Sequence, residues 1–412
     1  MLDFADQPYR YFPPLRSPIA AWTLGVYNRW YDLPRNRLIS RVAVSGTEQL
    51  EQRGRNDRLL LTPNHPTHSD PYIYYEATRR AGIRTLIMAA YDVFLRSRRS
   101  ARIMQRIGCF SVDREGSDPA AMKQAADTLR DGRYALTIFP EGNVYLQNDA
   151  VTPFHDGAAF LALRAAKASA EPDVRVLVVP VSIKATCTED IRESLLQKLE
   201  ILENALSVKS APDATPIERV RALGLAALHR NLNQRGVDIP EADTLPDLIG
   251  LAAGAVIDRL EHKIDLRSKP QDGLIERIRR ARRRIHEIRL DETRSADHAS
   301  AVVWADEAML ALRIASYGGN YLAHSPTIDR FAETIEKLSE DVYREIQTPL
   351  GRRAAYVHFG EPIDVCEYLE GFRRKARVAV RELTERCAGS VQTGLDILNT
   401  RNPEIGAQVW NA

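Results

Sequence analysis

Two histidines and an aspartate stand close together in TPNHPTHSDPY, Thr62 to Tyr72. His65 and Asp70 follow the apolar run RLLLTP and precede a helical pattern, so they fall on a strand-to-helix turn. Turns of this kind, at the end of a sheet, are where α/β folds place reacting groups. A carboxylate in reach of an imidazole fixes its tautomer and stabilises the imidazolium formed when the ring takes a proton. The pair is then a general base with its orienter. The same residues suit a capped turn, with Asp70 as N-cap, Pro71 at the first helical position, and Thr67 with Asp70 as a variant capping box. A third reading is zinc held by His65, His68 and Asp70, with His155 and Asp156, which would make a metal-dependent hydrolase. The stretch has no H-E-x-x-H helix and no cysteine nearby, so His68 reads as an exposed loop residue.

Three further stretches carry possible chemistry. IGCFSVDRE (107–115) ends a strand pattern in Asp113 and Arg114. An arginine at a strand end can clamp a phosphate with its planar fork, or simply pair with Asp113 or Glu115 on the surface. TIFPEGNVY (137–145) breaks at Pro140 into Glu141, Gly142 and Asn143. Gly142 permits close backbone approach and an amide aimed at an anion, or it sits in an ordinary β-turn. VVPVSIK (178–184) has Pro180 inside an apolar run, which is unusual for a central strand and suggests a strand end or a bend beside a pocket. Cys109 lies within a strand pattern and reads as packing.

The elements that must hold these residues follow from periodicity. SRVAVSG, RLLLTP, RTLIMAA, GCFSVD, YALTIFP and VRVLVVPVSIK read as strands between residues 40 and 184, with helices between them. That alternation predicts an α/β layered domain, and the nearly continuous apolar strands predict a sheet buried on both faces. From 185 to 352 the strand signals vanish and apolar residues recur every three or four positions, which predicts an all-helical block. RAAYVHFGEPIDV (353–365) then returns to a strand and turn, followed by one or two C-terminal helices to residue 412. A lone late strand needs a sheet to join, so the helical block reads as an insertion into the first domain, leaving from a surface loop. Before it, residues 1–39 hold a helix between Pro18 and Pro34 with Ile19, Trp22, Val26 and Trp30 on one face. Aromatics beside Arg29 suit a membrane interface, while the same stripe also suits a helix docked on the protein core.

With 44% hydrophobic and 27% charged residues, the 412-residue chain is a folded globular protein. A net charge of +2 gives no footing for nucleic acid, and no binding motif supports it. Seven arginines between Arg277 and Arg289 read as a solvated helix face beside Glu276 and Glu287, or as a surface for anionic lipid or an acyl carrier protein. Cys109, Cys187, Cys366 and Cys387 are too scattered for a zinc knuckle or a disulfide framework, so a reducing compartment is expected. The N-terminus lacks a signal-peptide pattern, and no run reaches the ~18–20 apolar residues of a membrane span. The expectation is a cytoplasmic protein, peripheral on the cytoplasmic membrane face.

Taken in order, N-H-x-x-x-x-D (Asn64–Asp70), G-x-x-x-x-D-R (Gly108–Arg114), F-P-E-G (Phe139–Gly142) and V-P-V (Val179–Val181) form a pattern. It resembles the glycerolipid acyltransferases, the group that includes 1-acylglycerol-3-phosphate acyltransferases. HFGEPI (358–363) is similar to that family's closing strand. The resemblance implies a family-like α/β layered sheet with flanking helices, here interrupted by the helical insertion. It implies His65 as general base, oriented by Asp70, removing a proton from an acceptor hydroxyl that attacks an acyl thioester. It also implies substrate contacts at Asn64, Thr67, Asp113, Arg114, Glu141, Gly142, Asn143 and Pro180. The donor would be acyl-CoA or acyl carrier protein and the acceptor a lipid-like alcohol in phospholipid biosynthesis, with no cofactor or metal. The family commonly continues its third block Glu-Gly-Thr-Arg or Glu-Gly-Ser-Arg, whereas this chain has Glu141-Gly142-Asn143-Val144. A bidentate phosphate contact is therefore missing from that block, and Arg96, Arg98 and Arg99 are candidates to replace it. Besides the hydrolase, the alternative is a non-enzymatic peripheral lipid-binding protein.

Overall fold

In the computed structural model the described residues are 9–51, 56–169, 174–269 and 271–410. A helix α1 (Pro18–Tyr27) runs on into a wider π-type turn over Asn28–Asn36. The layered domain follows as β1 (Ile39–Ser45), β2 (Arg58–Pro63), α2 (Asp70–Arg80), β3 (Thr85–Ala90), α3 (Arg98–Ile107), β4 (Cys109–Val112), α4 (Pro119–Asp131), β5 (Ala135–Ile138), α5 (Gly157–Ala168) and β6 (Val176–Cys187). Helices α6 (Arg192–Leu206), α7 (Pro216–Asn233), α8 (Leu245–Lys263), α9 (Leu274–Leu290), α10 (His298–Ala315) and α11 (Ile328–Tyr343) come next. The chain returns through β7 (Arg353–Phe359) and β8 (Ile363–Asp364) and ends on α12 (Ala376–Thr400).

The sheet order is β1-β7-β6-β2-β5-β3-β4, with β8 also on β6. β6, β2, β5, β3 and β4 run parallel to one another, while β7, with β1 parallel to it, runs antiparallel to β6. One core, around Leu60, Phe110 and Leu136, lies on one face; another, around Leu61, Val181 and Phe359, lies on the other. All twelve residues of β6 are buried. This two-sided burial explains why the strands read as apolar runs rather than alternating ones.

Pro180 is mid-strand in β6, not at a strand end. On the β7 side, Phe359 pairs with Val181 and β8 resumes at Val178, so Pro180 faces the turn between them and only accepts, from Gly360 N–H at 2.8 Å. No ladder donor is needed there, which is how a central strand tolerates proline.

The helical block leaves after Cys187 and returns at Arg353, and those two residues are direct partners across β6 and β7. Its ends are thus already side by side in the sheet. α11 seals the joint: Asp329 accepts from Thr186 Oγ1 (2.6 Å) and Cys187 N–H (2.8 Å), and Glu336 pairs with Arg353 (2.6 Å). Arg330 and Lys184 both hold Asp149.

The N-terminal helix docks, but by the face opposite the predicted stripe. Ala21, Gly25, Asn28 and Leu33 are buried, while Ile19, Trp22 and Trp30 are 77%, 69% and 70% exposed. Small residues let α1 lie close on α2, where a Cβ at Gly25 would stand 3.0 Å from Arg79 Cδ. Among the described residues no helix is long and apolar enough to cross a membrane.

Candidate active site

The blocks after β2, β4 and β5 all emerge at the carboxyl ends of parallel strands, which places them at one rim of the sheet. At that rim His65 Nδ1 lies 2.9 Å from Asp70 Oδ2. Asp70 is fully buried and also accepts Thr67 N–H and Thr67 Oγ1–H, each at 2.7 Å. Three donors converge on one carboxylate and fix its orientation. The Nδ1–H bond leaves Nε2 as the ring's proton acceptor. The helix begins at Asp70 with Ser69 in the cap position, so Asp70 is not the N-cap; its carboxylate turns back onto the loop instead.

Glu141 holds the other side of the turn. Its Oε1 accepts His65 N–H at 3.0 Å and its Oε2 accepts the Thr152 hydroxyl. Burial pushes the Glu141 carboxyl up to about 7, against the opposing hydrogen bonds. Phe139 packs on the His65 ring at 4.7 Å between centroids, and Tyr74 meets Phe139 edge-on. Asn64 is fully buried, and its amide brackets Ile183: Nδ2 donates to the carbonyl at 3.0 Å and Oδ1 accepts the N–H at 2.7 Å.

A family model described as Acyltransferase matches residues 41–184. This stretch is an acyltransferase domain. It spans β1 to β6 and holds every residue of the turn just described. No curated protein matches the chain. Acyl transfer is the general activity that such a domain supports.

Within the acyltransferase domain the expected substrate residues divide by environment. Asn64, Thr67, Glu141 and Pro180 are buried, and their polar atoms are spent on the protein itself. They hold the turn in place. Asp113, Arg114, Gly142 and Asn143 form a second, more open cluster. Arg114 bonds Gly142 O (2.9 Å), Asn143 Oδ1 (3.2 Å) and Asp92 (3.0 Å), rather than Asp113 or Glu115. The Gly142 amide is closed into the turn on Phe139 O at 3.1 Å, so it is not aimed at an anion. Gly142 is needed for its left-handed φ of 72° and because a Cβ would stand 2.7 Å from His155 Nε2.

His68 is not the exposed loop residue that its position suggests. Its Nε2 faces Glu340 of α11 at 3.0 Å, away from His65. The two histidines therefore serve different carboxylates. Among the described residues no group of three or more His, Cys, Asp or Glu side chains is placed to hold a metal. Burial raises the thiols of Cys109 and Cys387 to about 12, which suppresses the thiolate needed for nucleophilic attack.

Sequence reasoning missed Asp92, Thr152, Phe139 as the ring partner of His65, and two insertion residues at the open cluster. Arg282 of α9 pairs with Glu115, and His286 Nε2 lies 3.1 Å from Asp113. Local motifs carry no signal for such long-range partners.

Proposed function

We propose that the protein moves a fatty acyl group from an acyl thioester, acyl-CoA or acyl carrier protein, to a hydroxyl of a glycerolipid-like acceptor in phospholipid biosynthesis. One observation carries this: the buried Asp70 carboxylate 2.9 Å from His65 Nδ1, which leaves Nε2 as a base at the rim of the sheet. His65 Nε2 takes the acceptor's proton as its oxygen attacks the thioester carbonyl carbon. Asp70 stabilises the imidazolium. The tetrahedral intermediate collapses, the C–S bond breaks, and the departing thiolate takes the proton from His65. No covalent acyl-enzyme is required, which agrees with thiols held in their neutral form.

The lipid acceptor would be met at a membrane surface. Ile19, Trp22, Val26, Tyr27, Trp30 and Tyr31 are all exposed on the N-terminal helical segment, beside the exposed Arg29 and Arg35. Aromatic and basic side chains on one amphipathic face suit the headgroup region. That segment is anchored to α2, where Asn28 Nδ2 donates to Tyr72 O at 3.0 Å and Tyr75 OH donates to Ala21 O at 2.8 Å. α2 begins with Asp70, so the apolar face and the base are carried by adjoining elements. The test is thiol release from palmitoyl-CoA with an acceptor panel. Acceptor-dependent release is expected; liposome binding without any release would support the non-enzymatic alternative instead.

A further inference from the structure

His65 is held by two chain segments, its own turn from Asn64 to Asp70 and the loop from Glu141 to Thr152. One helix of the insertion reaches both. Asp329, Glu333, Glu336 and Glu340 are spaced i, i+4, i+7, i+11, so they share one face of α11. Asp329 and Glu336 fasten that face to β6 and β7. The other two act on the segments around the base. Glu340 accepts from His68 Nε2 at 3.0 Å, and His68 lies between Thr67 and Asp70, whose side chains fix the His65 ring. Glu333 Oε2 accepts the Asn148 N–H at 2.9 Å and the Tyr321 hydroxyl at 2.6 Å. The Asn148 amide brackets Ala185 of β6, as the Asn64 amide brackets Ile183. Gln147 donates to Ser316 O at 3.1 Å, and Lys184 and Arg330 hold Asp149. The insertion thus fixes the loop whose Thr152 hydroxyl holds Glu141, and Glu141 accepts His65 N–H.

Two observations set these contacts apart from ordinary packing. A polar cavity of about 230 Å³ lies between the turn and α11, lined by Thr67, His68 and Ser69 on one side and Glu336 and Glu340 on the other. The His68–Glu340 pair bridges a gap there. Glu333 is buried, and its Oε1 has no hydrogen-bond partner among the described residues. A buried polar atom left unpaired is destabilising, so the contribution of Glu333 lies in what Oε2 holds.

We propose that the helical insertion positions the base: Glu340 and Glu333 of α11 hold the Asp70 side and the Glu141 side of the His65 turn at a fixed separation. This rests on the acyl-transfer reading and adds to it a role for the insertion. Neither carboxyl contacts His65, so both are positioning residues and act through His68 and Asn148. Both segments they hold are loops, the parts of a fold most free to move. α11 is a rigid element already pinned to the sheet by Asp329 and Glu336, so it can hold the two loops as one bar. A general base must stay within hydrogen-bond reach of the hydroxyl it deprotonates, and a misplacement of about 1 Å can cost about 100-fold in rate.

The test uses the full-length protein and two readouts. One is thiol release from palmitoyl-CoA, with a monoacylglycerol phosphate and the matching monoacylglycerol as acceptors. The other is amide hydrogen exchange of the turn, residues 62–74. Glu340→Ala and Glu333→Ala are each expected to lower kcat by about tenfold, with KM within about twofold, and to speed exchange in the turn while β6 keeps its protection. Glu340→Gln and Glu333→Gln keep an acceptor in the same place and are expected to restore both readouts. His68→Ala is expected to match Glu340→Ala, and the double variant to lose little more than either alone. His68 is half-buried, so its variant carries the test should Glu333→Ala fail to fold. A kcat within about twofold of wild type in the alanine variants, or a raised KM with kcat intact, overturns the proposal alone. So does a loss that glutamine leaves unrestored, or exchange that rises across the whole sheet, because either reduces the contacts to general stability. Transfer to neither acceptor by the wild type overturns the acyl-transfer reading beneath it, and exchange in the turn then decides the positioning role by itself.

Discussion

Replacing Glu141 with glutamine separates the carboxylate's shape from its charge. In Glu141→Gln the side-chain amide keeps an acceptor for His65 N–H, while the Thr152 hydroxyl can rotate to receive the new amide hydrogen. What disappears is the titration. Burial raises this carboxyl from 4.5 to about 7, a difference worth about 3 kcal/mol. A raised folded-state value means that the folded protein binds more protons than the unfolded chain between those limits. Stability from this group is therefore full below pH about 4.5 and is lost as pH rises through about 7. Urea unfolding of both proteins from about pH 5 to 8 should show Glu141→Gln gaining on the wild type by about 2–3 kcal/mol across that range. A stability difference that is flat with pH, or one that shrinks as pH rises, would refute the claim that Glu141 is buried at a cost beneath His65.

Two further outcomes follow from the same geometry. Asp70→Asn can keep its bonds to Thr67 and His65 but removes the negative charge facing the imidazolium, and a charge-assisted bond is worth about twice a neutral one. We expect kcat to fall by about 10- to 100-fold with little change in KM, measured by steady-state thiol release. Trp22→Ser with Trp30→Ser removes two exposed indoles. Half-burial of about 100 Å² each, at about 25 cal/mol per Å², predicts a loss of liposome affinity of more than about tenfold by co-sedimentation, with unfolding behaviour unchanged.

The sheet was legible because its strands are buried on both faces and so write themselves as apolar runs, as VLVVPVSIKATC does in β6. The His65–Asp70 pair was legible because both residues belong to one continuous turn. The late strand could be assigned to the first sheet on the argument that a lone strand needs partners, and β7 does lie between β1 and β6. Other features were hidden for physical reasons. α11 carries Asp329, Glu333, Glu336 and Glu340, which a helical pattern assigns to solvent, yet all four are buried, two of them on strand residues. Their partners, such as Thr186 and Arg353, stand far away in sequence. The arginine-rich helix misled in the same manner: Arg277 and Arg280 pair within the insertion, while Arg282 is buried on the loop after β4. On α1, the aromatic stripe suited a membrane interface and a docked core face alike. The small residues opposite it do the docking, because they allow the closest approach.

The central claim is that His65 is the base for acyl transfer. It is tested most directly by acceptor-dependent thiol release from palmitoyl-CoA in the wild type and in His65→Ala, with both shown by circular dichroism to be folded alike. General-base catalysis contributes about 10²- to 10⁴-fold, so His65→Ala should lose at least about 100-fold in kcat while still binding both substrates. Turnover by the folded His65→Ala protein within a few-fold of wild type would contradict the account.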